Sequence, residues 1–467
     1  MGKRWLSFHA HEADMRLPKD QEMAKTAANR WLDISFDMLV KQLRQAIYNF
    51  PDKRRGNNTQ YSLEDIALSG FSVLFTQSPS FLSFQKSMQQ KKGVNNAQSL
   101  FAVQKIPSDN HIRDILDGVP PQAVFPVFHF ITEKANAVGT LDSFRSYHNN
   151  LLCALDGTQY FSSKTIHCEN CSTKEHKDGS ITYSHTAITP VFIKPGCNKV
   201  ITLPPEFIIP QDGHEKQDCE NTAAKRWLNQ FGPLYKALGI TIVGDDLYCK
   251  QPVCEVIFLH GLDFILICKP TSHKTLYQWI EDLNGLQAVE SVVEKRWTGK
   301  KHEIDTYRFV NQVPLRDGDN SVLVNWCELT TTRPDGTIIY KNAFATNFEI
   351  SKNNVKQIVA DGRARWKIEN ENNNVLKNRG YHLEHNFGHG KKHLSQLMLT
   401  FNLLAFLFHT VLEISDEKYA LLRSQLPTRQ TFFDDIRALT RYLYFQSWDA
   451  LLIFMLRGLE LSVPGTG

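Results

Sequence analysis

Long hydrophobic runs are scarce in this chain of 467 residues. The most apolar stretch, LMLTFNLLAFLFHTVL, spans 16 residues from Leu397 to Leu412 and contains Asn402 and His409. A membrane span needs about 20 apolar residues, so a buried helix is expected here and no membrane partner. The opening residues MGKRWLSFHAHEADMRLPKDQEM are polar and lack the apolar segment of a secretory signal. Leu6 stands where a myristoylation signal has Ser or Thr. Cysteine is also sparse: 9 residues, an odd number, widely spread. That speaks against a disulfide scaffold and for a reduced, cytoplasmic protein. Neither sign of charge dominates. A net charge of +4, with pI near 8.4, permits a nucleic-acid partner without arguing for one. No internal repeat or low-complexity tract stands out. What is present, 42% hydrophobic and 22% charged residues, suits a folded chain of roughly two to four domains.

Residues 1–120 read as a helical region. A helix over 22–49 carries Leu32, Phe36, Leu39, Leu43 and Ile47 on one stripe. The linker PDKRRGNNTQ follows, then helices in YSLEDIALSGFSVLF, SFLSFQKSMQQ and SDNHIRDILDG, the last capped by Ser108 or Asp109. Lys53, Arg54, Arg55, Lys91 and Lys92 make this region a candidate DNA-end-binding domain. From about 145 to 271 strands and helices alternate, as in an α/β core. LLCALDGTQYF, YSHTAITPVFIK, NKVITLPPEFII, ITIVGDDLY and DFILICK read as strands, and Asn221 to Leu238 as a helix with Ala223, Ala224, Trp227, Leu228 and Phe231 inside. Residues 272–345 read as a β-rich insertion, with turns at Asp317-Gly318-Asp319 and Pro334-Asp335-Gly336. A helical segment from Asn353 to Asn378 and the apolar helix complete the core over 346–413. Residues 414–467 read as covering helices.

Three carboxylates stand out. Asp156 and Asp245 each end an apolar strand, and buried strands deliver their last residues to one sheet edge. A carboxylate there is costly without a cation. Either could instead be an ordinary loop-opening Asp. Glu369 lies in a helical segment four residues after Arg365 and four before Asn373, near one face. Lys377 is eight residues further, about 80° round the helix. The bland reading of this segment is a salt-bridged surface helix. Three carboxylates suit two divalent metals about 4 Å apart, one activating a water or a 3′-hydroxyl and the other steadying the leaving oxygen. Oxygen ligands and a phosphate substrate favour Mg²⁺. Arg365 and Lys377 then have the chemistry to hold DNA phosphates. On this reading the carboxylates converge to within about 4–8 Å, as a two-metal site demands.

With these residues the chain resembles the DDE transposases of bacterial insertion sequences, of the cut-and-paste type with a β insertion, over about residues 150–410. Asp156 in ALDG matches the first Asp of that group and Asp245 in GDDLY the second, with Asp246 a rival by one position. The group's Glu helix carries a Tyr, Arg, Glu, Lys signature. Arg365 and Glu369 in RWKIE match it, with Glu371 the runner-up to Glu369. Gly362 stands at the Tyr position, and Lys377 lies one residue late. The resemblance implies a ribonuclease H-like mixed sheet preceded by a helical region, interrupted by a β-rich insertion and followed by C-terminal helices. It further implies hydrolysis at transposon ends in double-stranded DNA, strand transfer of the 3′-hydroxyls into target DNA, two Mg²⁺ ions, and a homodimer or higher synaptic complex. In similar enzymes a Trp of the insertion stacks on a flipped base; Trp297 in EKRWTGKKH is the candidate here and Trp326 the alternative.

Two further clusters carry metal-binding residue types. HCENCSTKEHKDGSITYSH places Cys168 and Cys171 two residues apart, followed by His176 and His185, which suits a structural Zn²⁺, with Cys197 an alternative fourth ligand. Reduced cysteines in a strand turn are the competing reading. YHLEHNFGHGKKHL contains His382, His385, His389 and His393, but Gly388 and Gly390 break any continuous helical ligand face. It reads as a basic Gly-rich loop in which Lys391 and Lys392 contact phosphate. His214 and Lys216 are candidates for a DNA-contact or supporting role. Two other functions stay open: a metal-dependent nuclease with the same core, and a domesticated, inactive DNA-binding protein.

Overall fold

In the computed structural model the described residues are 34–55, 59–210 and 218–464; Leu32, His214, Lys216 and the side chains of Lys91 and Lys92 lie outside that description. Thirteen strands are formed among the described residues: β1 Leu151–Ala154, β2 Gly157–Ser163, β3 Ser172–Glu175, β4 Ile181–Ile188, β5 Val191–Ile193, β6 Ile201–Thr202, β7 Glu206–Ile208, β8 Ile240–Gly244, β9 Asp263–Ile267, β10 Glu290–Trp297, β11 His302–Pro314, β12 Leu323–Thr332 and β13 Ile338–Thr346. Nine make the central sheet, in the order β10-β11-β12-β13-β9-β8-β1-β5-β6. Strands β8 and β9 run parallel to β1 and to each other, β5 runs antiparallel to β1, and β6 antiparallel to β5. The segment β6-β5-β1-β8-β9 therefore has the order and directions of a ribonuclease H-like sheet. Its middle strands are buried on both faces, which explains their unbroken apolar runs.

A β-rich stretch does lie where the insertion over residues 272–345 is expected. It begins with a helix, Lys274–Gly285. The meander β10 to β13 then joins the central sheet through β13, where Phe344, Ala345 and Thr346 pair with Ile267, Leu266 and Ile265. The two expected turns close β11 to β12 and β12 to β13, with Gly318 and Gly336 at φ 109° and 85°.

Three stretches that read as single strands cross between sheets: LLCALDGTQYF gives β1 to the central sheet and β2 to the small one, and the other two cross at prolines. The run YSHTAITPVFIK breaks at Thr189-Pro190: β4 lies in a four-stranded sheet with β2, β3 and β7, while β5 lies in the central sheet. NKVITLPPEFII breaks at Pro204-Pro205, giving β6 to the central sheet and β7 to the small one. Proline donates no ladder hydrogen bond, so the chain leaves one sheet where Pro stands and enters the other. The indole N–H of Trp227 donates to the Pro204 carbonyl at 2.9 Å. Trp227 belongs to the helix Glu220–Lys236, which buries Ala223, Ala224, Trp227, Leu228 and Phe231.

The helices before and after the sheet pack together. Phe36, Leu39, Leu43 and Ile47 are buried in the helix Phe36–Tyr48. Phe36 stacks on Trp448 at 4.7 Å, and Phe75 on His409 at 4.1 Å. Ser108 caps the helix Asp109–Leu116. Two helices carry no clear sequence signal, Lys91–Phe101 and Phe125–Ala137. In the first, the Asn96 amide donates to the carbonyls of Thr440 and Leu443, a tertiary tether for a segment of weak helix formers. The helix Leu394–Ser415 is long and apolar enough to cross a membrane, but 89% of its most apolar window is buried inside the protein.

One contact secures the start of that helix. Asp117 Oδ1 accepts from the backbone N–H groups of Lys391, Lys392, His393 and Leu394 at 3.0–3.1 Å. Burial works to raise the Asp117 carboxyl, but the four N–H donors hold it below the usual carboxylate range. Asp117→Ala is expected to cost about 1–3 kcal/mol in urea denaturation, as loss of a charged helix cap should. A depressed carboxylate contributes stability above its unfolded value near 4 and loses it as pH falls through its folded value. The gap between wild type and Asp117→Ala should therefore close in acid.

Candidate active site

The site begins with strand register. Leu151 to Ala154 of β1 pair in parallel with Ile240 to Val243 of β8, and the Leu155 N–H donates to the Val243 carbonyl at 2.9 Å. Two residues beyond Ala154 and Val243 the neighbouring strands release Asp156 and Asp245 at the same edge. Asp245 Oδ1 accepts from Leu247 N at 2.9 Å within its own turn. Asp246 faces elsewhere: its Oδ1 accepts from Lys269 N at 2.6 Å and lies 3.4 Å from His273 Nε2.

The segment expected as one helix is interrupted. A helix runs Val355–Arg363, and Ile368–Asn373 forms a π-helical turn that continues into Asn374–Asn378. Such turns recur at functional sites. Here it buries Asn372 and Asn373. Asn373 Nδ2 donates to Asp156 Oδ2 at 2.9 Å. Asn373 Oδ1 accepts from the Thr189 hydroxyl at 3.0 Å and from Asn372 Nδ2 at 2.9 Å. The Thr189 N–H donates to the Asp156 carbonyl at 3.1 Å. Asn373 thus fastens the Glu369 segment to the end of β1 through hydrogen bonds to Asp156 and Thr189.

Glu369 is exposed and pairs with Arg365, Oε1 to Nη2 at 2.7 Å. The Arg365 Nε is buried with no protein partner. Glu371 lines a different cavity, with Arg379, Arg423 and Arg429. The segment meets the sheet at Gly362, where a Cβ would come within 2.6 Å of the Phe344 ring and 2.9 Å of Ile265. That contact leaves no room for the signature Tyr.

Burial above all pushes the Asp156 carboxyl up to about 7; Arg365 opposes this, and the negative charges of Glu369, Glu220 and Asp245 add to it. Glu220 is a fourth acid of the site. It opens the helix Glu220–Lys236, and its Oε2 accepts from the Tyr248 hydroxyl at 3.2 Å. Any Cβ on Gly157 would fall within 2.8 Å of its carboxylate. An acid at this position reads in the sequence only as a helix-start residue, because its approach to Asp156 depends on how that helix docks. The carboxylates of Asp156, Asp245 and Glu369 do not all lie within 4.8 Å of one another.

The remaining candidates are spread more widely. Lys377 pairs with Glu384, Nζ to Oε1 at 3.0 Å. Lys391 and Lys392 have exposed side chains on the loop anchored by Asp117. Trp297 is 59% exposed at the end of the edge strand β10. Trp326 is a core residue, 1% exposed, with its Nε1 3.4 Å from the Tyr277 hydroxyl. In the basic region of residues 52–61, Arg54 is held by Asp52 and the Tyr61 carbonyl.

Cys168, Cys171 and His185 come together, but His176 does not join them; its Nε2 lies 2.7 Å from the Thr182 hydroxyl. Cys197 also lies outside the group, its sulfur accepting from Lys199 N. The fourth member is His389, from the Gly/His/Lys loop. A ligand face does not require a continuous helix when the fold supplies the partner residues. A second cluster, Cys249, Cys268 and His273, is buried beside Asp246.

No known family profile matches the chain, and no curated protein does. Among solved structures it is similar to a piggyBac transposase synaptic complex with hairpin DNA, at 9% identity and a TM-score of 0.37, over 94% of this chain and 86% of that one.

Proposed function

We propose that this chain is a metal-dependent DNA phosphoryl-transfer enzyme of the transposase type, which hydrolyses phosphodiesters at particular DNA ends and transfers the freed 3′-hydroxyls into a second duplex. The observation that carries this reading is the parallel register of β1 and β8, which brings Asp156 and Asp245 out at one edge, with Glu369 close enough to act on the Asp156 carboxyl. The donor set is all oxygen, and the acids Asp156, Asp245, Glu369 and Glu220 gather around Arg365, a combination that fits Mg²⁺. Asp156, Asp245 and Glu369 would hold two such ions, which when bound supply an activated nucleophile and charge neutralisation at the leaving oxygen.

The chain's own residues do the rest. Asn373 pins one Asp156 oxygen and leaves the other for a ligand. Arg365 carries a buried Nε without a protein partner, and it has the fork geometry to take a phosphate. Lys377, Lys391 and Lys392 would add salt-sensitive phosphate contacts. Trp297, with its exposed ring, would stack on an extruded base. Strand transfer needs two ends held together, so a homodimer or larger synaptic assembly is the functional unit.

The test is to incubate the purified chain with Mg²⁺ and duplexes taken from the DNA that flanks its own coding sequence, with a supercoiled plasmid as target. Nicked ends and joined products are the expected result. Cutting that never proceeds to joining would replace the proposal with a nuclease, and binding without cutting would mark an inactive DNA-binding protein.

A further inference from the structure

The structure assigns a zinc site to Cys168, Cys171, His185 and His389, and with it a clamp between two segments distant in sequence. The observation is a set of distances. The two sulfurs are 3.9 Å apart. His185 Nε2 lies 3.5 Å from Cys168 Sγ and 3.5 Å from Cys171 Sγ, and His389 Nε2 lies 3.5 Å from Cys171 Sγ. Tetrahedral Zn²⁺ with Zn–S near 2.3 Å and Zn–N near 2.05 Å requires about 3.8 Å between sulfurs and about 3.5 Å between sulfur and nitrogen. The separations are those of the ligand polyhedron. They are far from a disulfide, whose sulfurs would sit about 2.05 Å apart.

The local backbone is built for the same purpose. Cys171 N donates to the Cys168 carbonyl at 3.1 Å, closing a tight turn, and Cys168 N points at the Cys171 sulfur at 3.4 Å. Cys171 and His185 are 4% and 2% exposed. The imidazoles are walled by Tyr160 and Phe161. Two thiols and two imidazoles gathered in an apolar shell form a soft tetrahedral S₂N₂ set, which selects Zn²⁺ over Mg²⁺ or Ca²⁺.

His389 sits 218 positions from Cys171. The metal would therefore tie the small sheet, which grows out of the end of β1, to the loop that follows the Glu369 segment. Asn170 reinforces the junction by donating to the Lys392 carbonyl at 2.8 Å. The clamp holds Lys391 and Lys392 in place and needs no DNA chemistry to exist, so it stands apart from the proposed activity.

The experiment uses the full chain purified under reducing conditions without chelator. Elemental analysis should find one zinc per chain. After stripping, titration with Co²⁺ should give the ligand-field bands of a tetrahedral ion and a thiolate-to-cobalt charge-transfer band. Cys171→Ser and His389→Ala should lose the metal or weaken it by about a hundredfold or more, while His176→Ala binds as wild type. His389→Cys should keep the metal and strengthen the charge-transfer band, since it adds a third thiolate. Zinc removal should also speed tryptic cutting at Lys391 and Lys392. A folded, reduced protein that gives no tetrahedral Co²⁺ spectrum would overturn the assignment, as would a His389→Cys spectrum unchanged from wild type or loss of metal in His176→Ala.

Discussion

Replacing Asp156 with Asn, Asp245 with Asn or Glu369 with Gln is expected to reduce Mg²⁺-dependent cutting by about a thousandfold or more, while DNA binding stays close to wild type. The physical reason is that each side chain would contribute charge to the metals, and charge stabilisation aimed at the transition state is the largest single contribution to this kind of chemistry. The isosteric amides retain shape and hydrogen bonding, so the loss isolates charge. The pH profile carries a second signature. A carboxyl pushed up to about 7 is largely protonated at pH 6, and Mg²⁺ must displace that proton. At subsaturating Mg²⁺ the rate should rise with pH through 7 and level off only above it. In the metal-free protein the sign is opposite for stability. The folded state holds the Asp156 proton over a range where the unfolded chain has lost it, so stability falls between about pH 4 and 7, and Asp156→Asn flattens that slope. A fully active Glu369→Gln variant would remove Glu369 from the site. Gel-shift and cleavage assays on the same preparations measure both halves.

Gly362→Ala should destabilise the protein by about 1–3 kcal/mol, and Gly362→Tyr by enough to prevent folding, because overpacked cores must displace their neighbours. The added Cβ would lie 2.6 and 2.7 Å from two carbons of the Phe344 ring and 2.9 Å from Ile265. Both neighbours are fully packed in the central sheet, so the relief is a shift of the helix Val355–Arg363. That shift propagates to Glu369 and to the Asn373 contact with Asp156. The Ala variant should therefore lose activity beyond what its stability explains. Gly285→Ala is the control: nothing lies within 4 Å of its Cβ position, and a neutral or slightly stabilising effect is expected. Equal melting temperatures for wild type and Gly362→Ala would refute the close-packing account. The departure from the family-like signature then has a concrete cause, since a glycine lets this helix seat directly on the sheet.

The clearest parts of the site in the sequence were those set by local rules. LLCAL and ITIVG are apolar runs followed by acids, and a strand buried on both faces has to read that way. The spacing of Arg365 and Glu369 is a one-turn relation, and the salt bridge follows from it. The stripe of Phe36, Leu39, Leu43 and Ile47 is equally local. What the sequence obscured involves partners far along the chain. The spacing placed Asn373 near the Glu369 face, but only the π-helical turn puts it on Asp156. Glu220 looked like a helix-start acid until the helix docked. Two strands of the small sheet, β4 and β7, lay hidden in runs that read as single strands, because the prolines that send them across have meaning only once both sheets exist.

The apolar strands with their terminal acids, the Arg365–Glu369 turn and the close spacing of Cys168 and Cys171 were legible in the amino-acid order alone, since each depends on neighbours within a few residues. Which histidine closes the cysteine pair, which Asp of the 245–246 pair faces Asp156, and why Gly362 must be a glycine were decided only by the tertiary structure. The reason is steric and long-range: each choice is made by atoms some 20 to more than 200 residues away in sequence that only folding brings into contact.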